Sequence, residues 1–157
     1  MLGSFAGRPI QPRRQRSHLD TSGPLVDDEL VDGEYAELRK LEATTRKTLF
    51  TVDATARDVP ALSDVNALVK MATAAVDHGN GHVLRTSSVR FPNGAVTCVL
   101  ILAESHLSFH TWPEEDLVAI DLFGCGAIDA EAVVARLVAD LGLTDVTVRR
   151  LERGRDG

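Results

Sequence analysis

The stretch Ala103-Glu104-Ser105-His106-Leu107-Ser108-Phe109-His110-Thr111-Trp112-Pro113-Glu114 decides the reading of this chain. Leu107–Thr111 reads as a strand, Pro113-Glu114-Glu115-Asp116 as a break, and Leu117–Phe123 as the next strand. Upstream, Val96–Leu102 is a nearly continuous apolar run, which places it centrally in a sheet. Phe91-Pro92-Asn93-Gly94 before it is a turn, because Asn-Gly accepts positive φ at low cost. His82–Val89 reads as a further strand. Strands joined by such short turns pair antiparallel.

Working outward, Thr48–Val52 is a β-rich pentad at the start of the domain. Pro60 stands where a helix can begin. Leu62, Val65, Leu68, Val69, Ala72 and Val76 then recur at helical spacing, with Gly79 as the stop. Asp129 can cap a second helix, striped by Val133, Val134, Leu137, Val138 and Leu141 and closed by Gly142. Val146–Leu151 is a last strand. The order β-α-β-β-β-β-α-β predicts an α+β fold, a two-layer α/β sandwich whose two helices cover one face of a mainly antiparallel sheet. The other face then lacks a cover within the chain. A second copy is the simplest cover, so a homodimer or a higher assembly is expected.

Residues 1–44 read as a tail. Met1–Thr21 carries Pro, Gly, Gln, Ser and arginines without periodicity, and Asp27–Glu37 is acid-rich. Such a segment buries too little apolar surface to offset its ordering entropy. A short helix over Asp28–Ala43 is the most structure it supports. Residues 45–157 form the expected domain.

A formal net charge of −6 argues against a general nucleic-acid binder. No apolar run approaches the ~18–20 residues of a membrane span, and the N-terminus has no apolar signal segment. The two cysteines, Cys98 and Cys125, form no Cys-x-x-Cys and the histidines are scattered, so no metal site is expected. A reducing cytoplasm follows as the expected location, with both thiols reduced. Cys98 reads as a buried strand residue.

Ser105, His110 five residues on and Cys125 twenty residues on make a chemically suggestive set. A serine can attack the carbonyl of the residue before it, here Glu104, turning the peptide into an ester. The fold must strain that bond or polarise its carbonyl for the shift to proceed. A base then removes the Ser105 Cα proton, and β-elimination and hydrolysis leave a pyruvoyl group on the new N-terminus. His110 is the natural base, because a free imidazole titrates nearest neutrality of the side chains, but on one extended strand it and Ser105 face opposite sides. Either the strand bends between them or the base comes from elsewhere. A pyruvoyl ketone takes up a substrate amine and accepts the electron pair released as CO₂ leaves. Cys125, a thiol protonated at neutral pH, suits the return of a proton to carbon.

The stretch resembles the prokaryotic S-adenosylmethionine decarboxylases, pyruvoyl enzymes that supply aminopropyl groups for spermidine synthesis. The resemblance rests on Ala103–Glu114 and on Asp121-Leu122-Phe123-Gly124-Cys125-Gly126, and extends more loosely from Thr48 to Arg155. It implies self-cleavage between Glu104 and Ser105, a pyruvoyl cofactor from Ser105, His110 as the processing proton acceptor and Cys125 as the catalytic proton donor. It further implies Phe91 stacking on adenine, Glu114 holding the ribose hydroxyls and Thr97 where the family carries a substrate-contacting serine. The family's fold is a dimerising two-layer α/β sandwich.

The chain also departs from the family pattern. Glu115-Asp116-Leu117 stands where the family has Tyr-Gly-Tyr, and Arg46-Lys47-Thr48 where its first strand opens Gly-Arg-His. The added carboxylates favour an ammonium or guanidinium group, so a pyruvoyl-dependent ornithine or arginine decarboxylase is the alternative. An unprocessed regulatory homologue is a third reading. Phe91 and Glu114, both retained, keep adenosylmethionine ahead.

Overall fold

The computed structural model describes residues 47–57 and 59–154. The tail and the helix expected over Asp28–Ala43 lie outside them. Six strands and two α-helices are described: β1 (Lys47–Ala56), α1 (Val65–His78), β2 (Val83–Arg90), β3 (Val96–Leu102), β4 (Ser105–Trp112), β5 (Leu117–Gly124), α2 (Ala130–Asp140) and β6 (Leu143–Arg153). They form one sheet in the order β2-β3-β4-β5-β1-β6, antiparallel at every pairing. The element order is the one read from the sequence. β3 keeps the bounds read from the sequence and β2 shifts by one residue, while β1, β4, β5 and β6 run longer, because ladder pairing carries them past the residues whose side chains signal them.

The core lies between helices and sheet. Leu68, Ala72, Ala75 and Val76 of α1, with Val133, Val134 and Leu137 of α2, meet Val52, Cys98, Leu100, Leu107, Phe109, Ile120 and Leu122 of the sheet. Burying each large side chain contributes about 1.5–3 kcal/mol, so this face alone directs which way the sheet turns its strands. The opposite face carries the alternate residues, and no helix among the described residues covers it. Ile101 and Leu151 are 46% and 44% exposed there, with Trp112 at 36%.

The first helix starts later than Pro60. Val59–Ser63 forms a 3-10 turn, and Asp64 caps α1 by accepting a hydrogen bond from the Ala67 N–H at 3.1 Å. A carboxylate at the N-cap outcompetes proline as the start signal. Gly79 does end α1, but for another reason than conformational freedom, since its φ is −87°. The left-handed residue is Asn80, at φ 57°. A Cβ on Gly79 would collide with Val133 and lie 2.7 Å from the Asp129 carbonyl oxygen, so glycine is what lets the two helices approach.

Candidate functional site

Strand β4 carries chemistry at both ends. At its start, Ser105 has φ 136°, a backbone conformation that L side chains rarely adopt. Holding it costs on the order of 1–3 kcal/mol, which the ladders to Leu102 and Gly124 must offset. The preceding carbonyl is held as firmly. The Glu104 carbonyl oxygen accepts hydrogen bonds from the Cys125 N–H at 3.0 Å and from the Cys125 thiol at 3.1 Å. The residue just before the expected nucleophile thus has its carbonyl polarised by two converging donors, as an oxyanion site requires.

Ser105 Oγ lies 3.3 Å from His106 Nδ1. Neighbouring residues on an ordinary strand point to opposite faces. The positive φ at Ser105 breaks that alternation and brings hydroxyl and imidazole together. His106 is a site residue that sequence reasoning missed, because strand alternation argues against it. Its ring packs on Phe123, with centroids 5.8 Å apart.

His110 is not at this end. At about 3.4 Å per residue, it lies about 17 Å along β4 from Ser105. There is no bend or bulge in the pairing of β4 with either neighbour. His110 instead pairs across the sheet with Thr97, whose Oγ1 lies 3.0 Å from His110 Nδ1. Both line a cleft of about 320 Å³ together with Phe91, Asn93, Trp112 and Glu114. All three expected substrate-binding residues, Phe91, Thr97 and Glu114, therefore meet at the far end of β4. The Asn93 amide donates to the Glu114 carboxylate at 3.1 Å. Thr111 anchors the region from below, donating to the Leu62 carbonyl and accepting from the Val96 N–H, each at 2.9 Å.

Glu115 and Asp116 are exposed and do not line this cleft. Glu115 ends a short 3-10 turn, and Asp116 turns left-handed at φ 53°. They lie on the exposed side of the β4–β5 connection, beside the cleft rather than in its lining.

The two cysteines differ as their settings dictate. Cys98 is fully buried, and desolvation pushes its thiol up to about 11. Cys125 is half-buried and opens onto a second cleft of about 370 Å³, lined also by Phe50, Gly126, Glu131 and Arg150. Neither is in a disulfide. Among the described residues no group of three His, Cys, Asp or Glu side chains could hold a metal ion, and no helix is long and apolar enough to cross a membrane.

A family model described as S-adenosylmethionine decarboxylase matches residues 48–154. The chain is 34% identical over 115 residues to an S-adenosylmethionine decarboxylase proenzyme 2 of Bacillus anthracis, covering 73% of this chain and 94% of the relative. It is 42% identical over 94 residues to the S-adenosylmethionine decarboxylase proenzyme of Symbiobacterium thermophilum, covering 59% of this chain and 71% of the relative. The crystal structure of the adenosylmethionine decarboxylase from Aquifex aeolicus superposes with a TM-score of 0.65 at 25% identity, over 72% of this chain and 94% of that one. A family match over residues 48–154, together with a relative 34% identical over 94% of its own length, shows that the chain belongs to the S-adenosylmethionine decarboxylase family.

Proposed function

We propose that the chain cleaves itself between Glu104 and Ser105, carries a pyruvoyl group on Ser105, and decarboxylates S-adenosylmethionine to an aminopropyl donor. The observation that carries the reading is the scissile carbonyl. Glu104 O already accepts from the Cys125 N–H and thiol, next to a serine at φ 136°.

The cleavage balances as follows. Ser105 Oγ attacks the Glu104 carbonyl carbon while its proton passes to His106 Nδ1, which requires the tautomer that leaves Nδ1 unprotonated. The developing oxyanion rests on the two Cys125 donors. The C–N bond breaks, the nitrogen takes the proton, and an ester with a free amine results. A second base removes the Ser105 Cα proton, the Cβ–Oγ bond breaks, and Glu104 leaves as a carboxylate. The dehydroalanine that remains tautomerises and hydrolyses, so that one water enters and one ammonia departs. The resulting ketone supplies an electron sink for loss of CO₂ from a bound amino acid. Cys125, whose thiol already reaches the Glu104 carbonyl at the cleavage point, then returns a proton to the substrate carbon. Phe91 and Glu114 then serve adenine and ribose, and the same reading puts the enzyme in a reducing cytoplasm, where Cys125 stays a thiol.

His110 fits the second base only across two copies. The uncovered sheet face, with exposed Ile101, Trp112 and Leu151, supports a homodimer in which the Ser105 end of one β4 faces the His110 end of its partner. One composite site then joins Ser105 and Cys125 of one protomer with Phe91, Thr97, His110 and Glu114 of the other. The cleft geometry supports adenosylmethionine over a basic amino acid, because Glu115 and Asp116 stand outside it. CO₂ release measured side by side with adenosylmethionine, ornithine and arginine tests the substrate. Release from adenosylmethionine at least tenfold faster is expected, and a preference for ornithine or arginine would overturn the assignment.

A further inference from the structure

The peptide to be cut is gripped at a second point, away from Cys125. The Glu104 side chain is only 6% exposed, and a carboxyl group removed from water is costly unless it is hydrogen-bonded. His82 supplies the bonds. Its backbone N–H donates to Glu104 Oε2 at 3.0 Å, and its ring Nδ1 lies 2.7 Å from Oε1. The His82 carbonyl in turn accepts from the Ala103 N–H at 2.9 Å. His82 thus holds both Ala103 and Glu104, the two residues before the cleavage point. Its ring is 65% exposed and lies over the buried carboxyl as a cover rather than as part of the core.

The local chain builds this position. The turn after α1 closes with the Gly81 N–H donating to the Val76 carbonyl at 2.9 Å, and left-handed Asn80 reverses the backbone. His82 emerges from that reversal opposite Ala103, one residue before β2 begins its ladder to β3. Glu104 is then fixed at two places. Its side chain is tied to His82 and its carbonyl to Cys125, leaving the peptide little freedom to swing away from Ser105.

We infer that His82 is a positioning residue for self-cleavage, acting through the Glu104 carboxyl to hold the scissile carbonyl on the Cys125 donors. This rests on the reading that the chain cleaves at Glu104–Ser105. Without the ring, Oε1 loses its partner, only the backbone N–H of residue 82 still holds the carboxyl, and the Glu104 side chain gains freedom to turn toward water. The carbonyl attached to the same Cα then leaves the line of the two donors. A misplacement of this kind costs between roughly tenfold and a hundredfold in rate.

The test follows chain cutting by intact mass after synthesis of full-length protein, for wild type, His82→Ala, His82→Asn, Glu104→Ala and the His82→Ala/Glu104→Ala double variant. Asparagine places an amide nitrogen where the histidine has Nδ1, so it can donate the same bond. Expected is cutting slowed at least tenfold in His82→Ala and restored to within about threefold of wild type in His82→Asn. The double variant should cut no more slowly than Glu104→Ala alone, since both changes remove one interaction. Circular dichroism and melting curves identify variants that fail to fold. His82→Asn cutting as slowly as His82→Ala while equally well folded overturns the inference, as does an additive double variant. A folded His82→Ala that cuts at the wild-type rate also overturns it. An uncut wild-type chain overturns the underlying self-cleavage reading and the inference with it.

Discussion

The two ends of β4 are built on different physical principles. At the Ser105 end the geometry centres on one stretch of backbone: a positive φ at a non-glycine residue and a carbonyl held by two donors, beside a buried Glu104 side chain. At the His110 end it is in side chains: Phe91, Thr97, Trp112 and Glu114 project into a cleft between the β2–β3 and β4–β5 connections. The difference teaches that breaking a peptide and recognising a small molecule place opposite demands on a fold. The first needs rigidity at one bond. The second needs several chemically distinct groups with room between them.

The sharpest way to break the comparison is at Ser105. Ser105→Ala removes the hydroxyl, and a single uncut chain with no decarboxylase activity is expected by intact mass. Cutting that persists would remove the serine from the account. Next comes Cys125→Ala, which deletes one of two donors to the Glu104 carbonyl and leaves the backbone N–H. Cutting should slow by on the order of 10²-fold, and any matured enzyme should decarboxylate poorly. Wild-type cutting would show that the thiol is a bystander to cleavage.

At the other end, changes to groups besides His110 should leave cutting intact. Phe91→Ala loses a stacking platform worth about 1–3 kcal/mol, read as a rise in KM for adenosylmethionine with the chain still fully cut. Loss of cutting in this variant would merge the two ends into one function. Glu115→Gln with Asp116→Asn should change kcat/KM by less than about threefold, since exposed charges outside the cleft act only through solvent. A dominant loss there would favour a cationic substrate. The smallest effect concerns Cys98. Its folded-state pKa lies above the ordinary thiol value of 9.0, so the stability of the buried, protonated thiol is fully present below 9.0. It is lost as pH rises through about 11. A thiol reagent at neutral pH should therefore label Cys125 and spare Cys98 until the protein unfolds.

Much of this was legible in the sequence. The apolar run of Val96–Leu102, the Asn93-Gly94 turn and the break at Pro113 gave the antiparallel order, because turn chemistry and burial are local signals. The α1 start is less legible: Pro60 falls in a 3-10 turn, and the Asp64 cap that sets the start shows only through its hydrogen bond to the Ala67 N–H. Gly79 is legible as the end of α1, but the reason it must be glycine is not. Its need for a missing Cβ depends on α2, distant in sequence. The site was legible as residue types. Its division between two ends of one strand was visible only as a conflict of parity between Ser105 and His110. The contacts of His106 with Ser105 and of His82 with Glu104 were hidden, the first behind a positive φ and the second behind a long-range hydrogen bond.

The most direct test of the two-ended account mixes two inactive chains. Ser105→Ala lacks the nucleophile, and His110→Ala lacks the second base. Alone, His110→Ala should stall at the ester and be cut only when hydroxylamine is added. In mixed dimers, one composite site regains both wild-type residues, Ser105 from one chain and His110 from the other. The account predicts that the His110→Ala chain is then cut between Glu104 and Ser105 without hydroxylamine, while the Ser105→Ala chain stays whole. A His110→Ala chain that remains uncut in confirmed mixed dimers, or that is cut as fast alone, would contradict it.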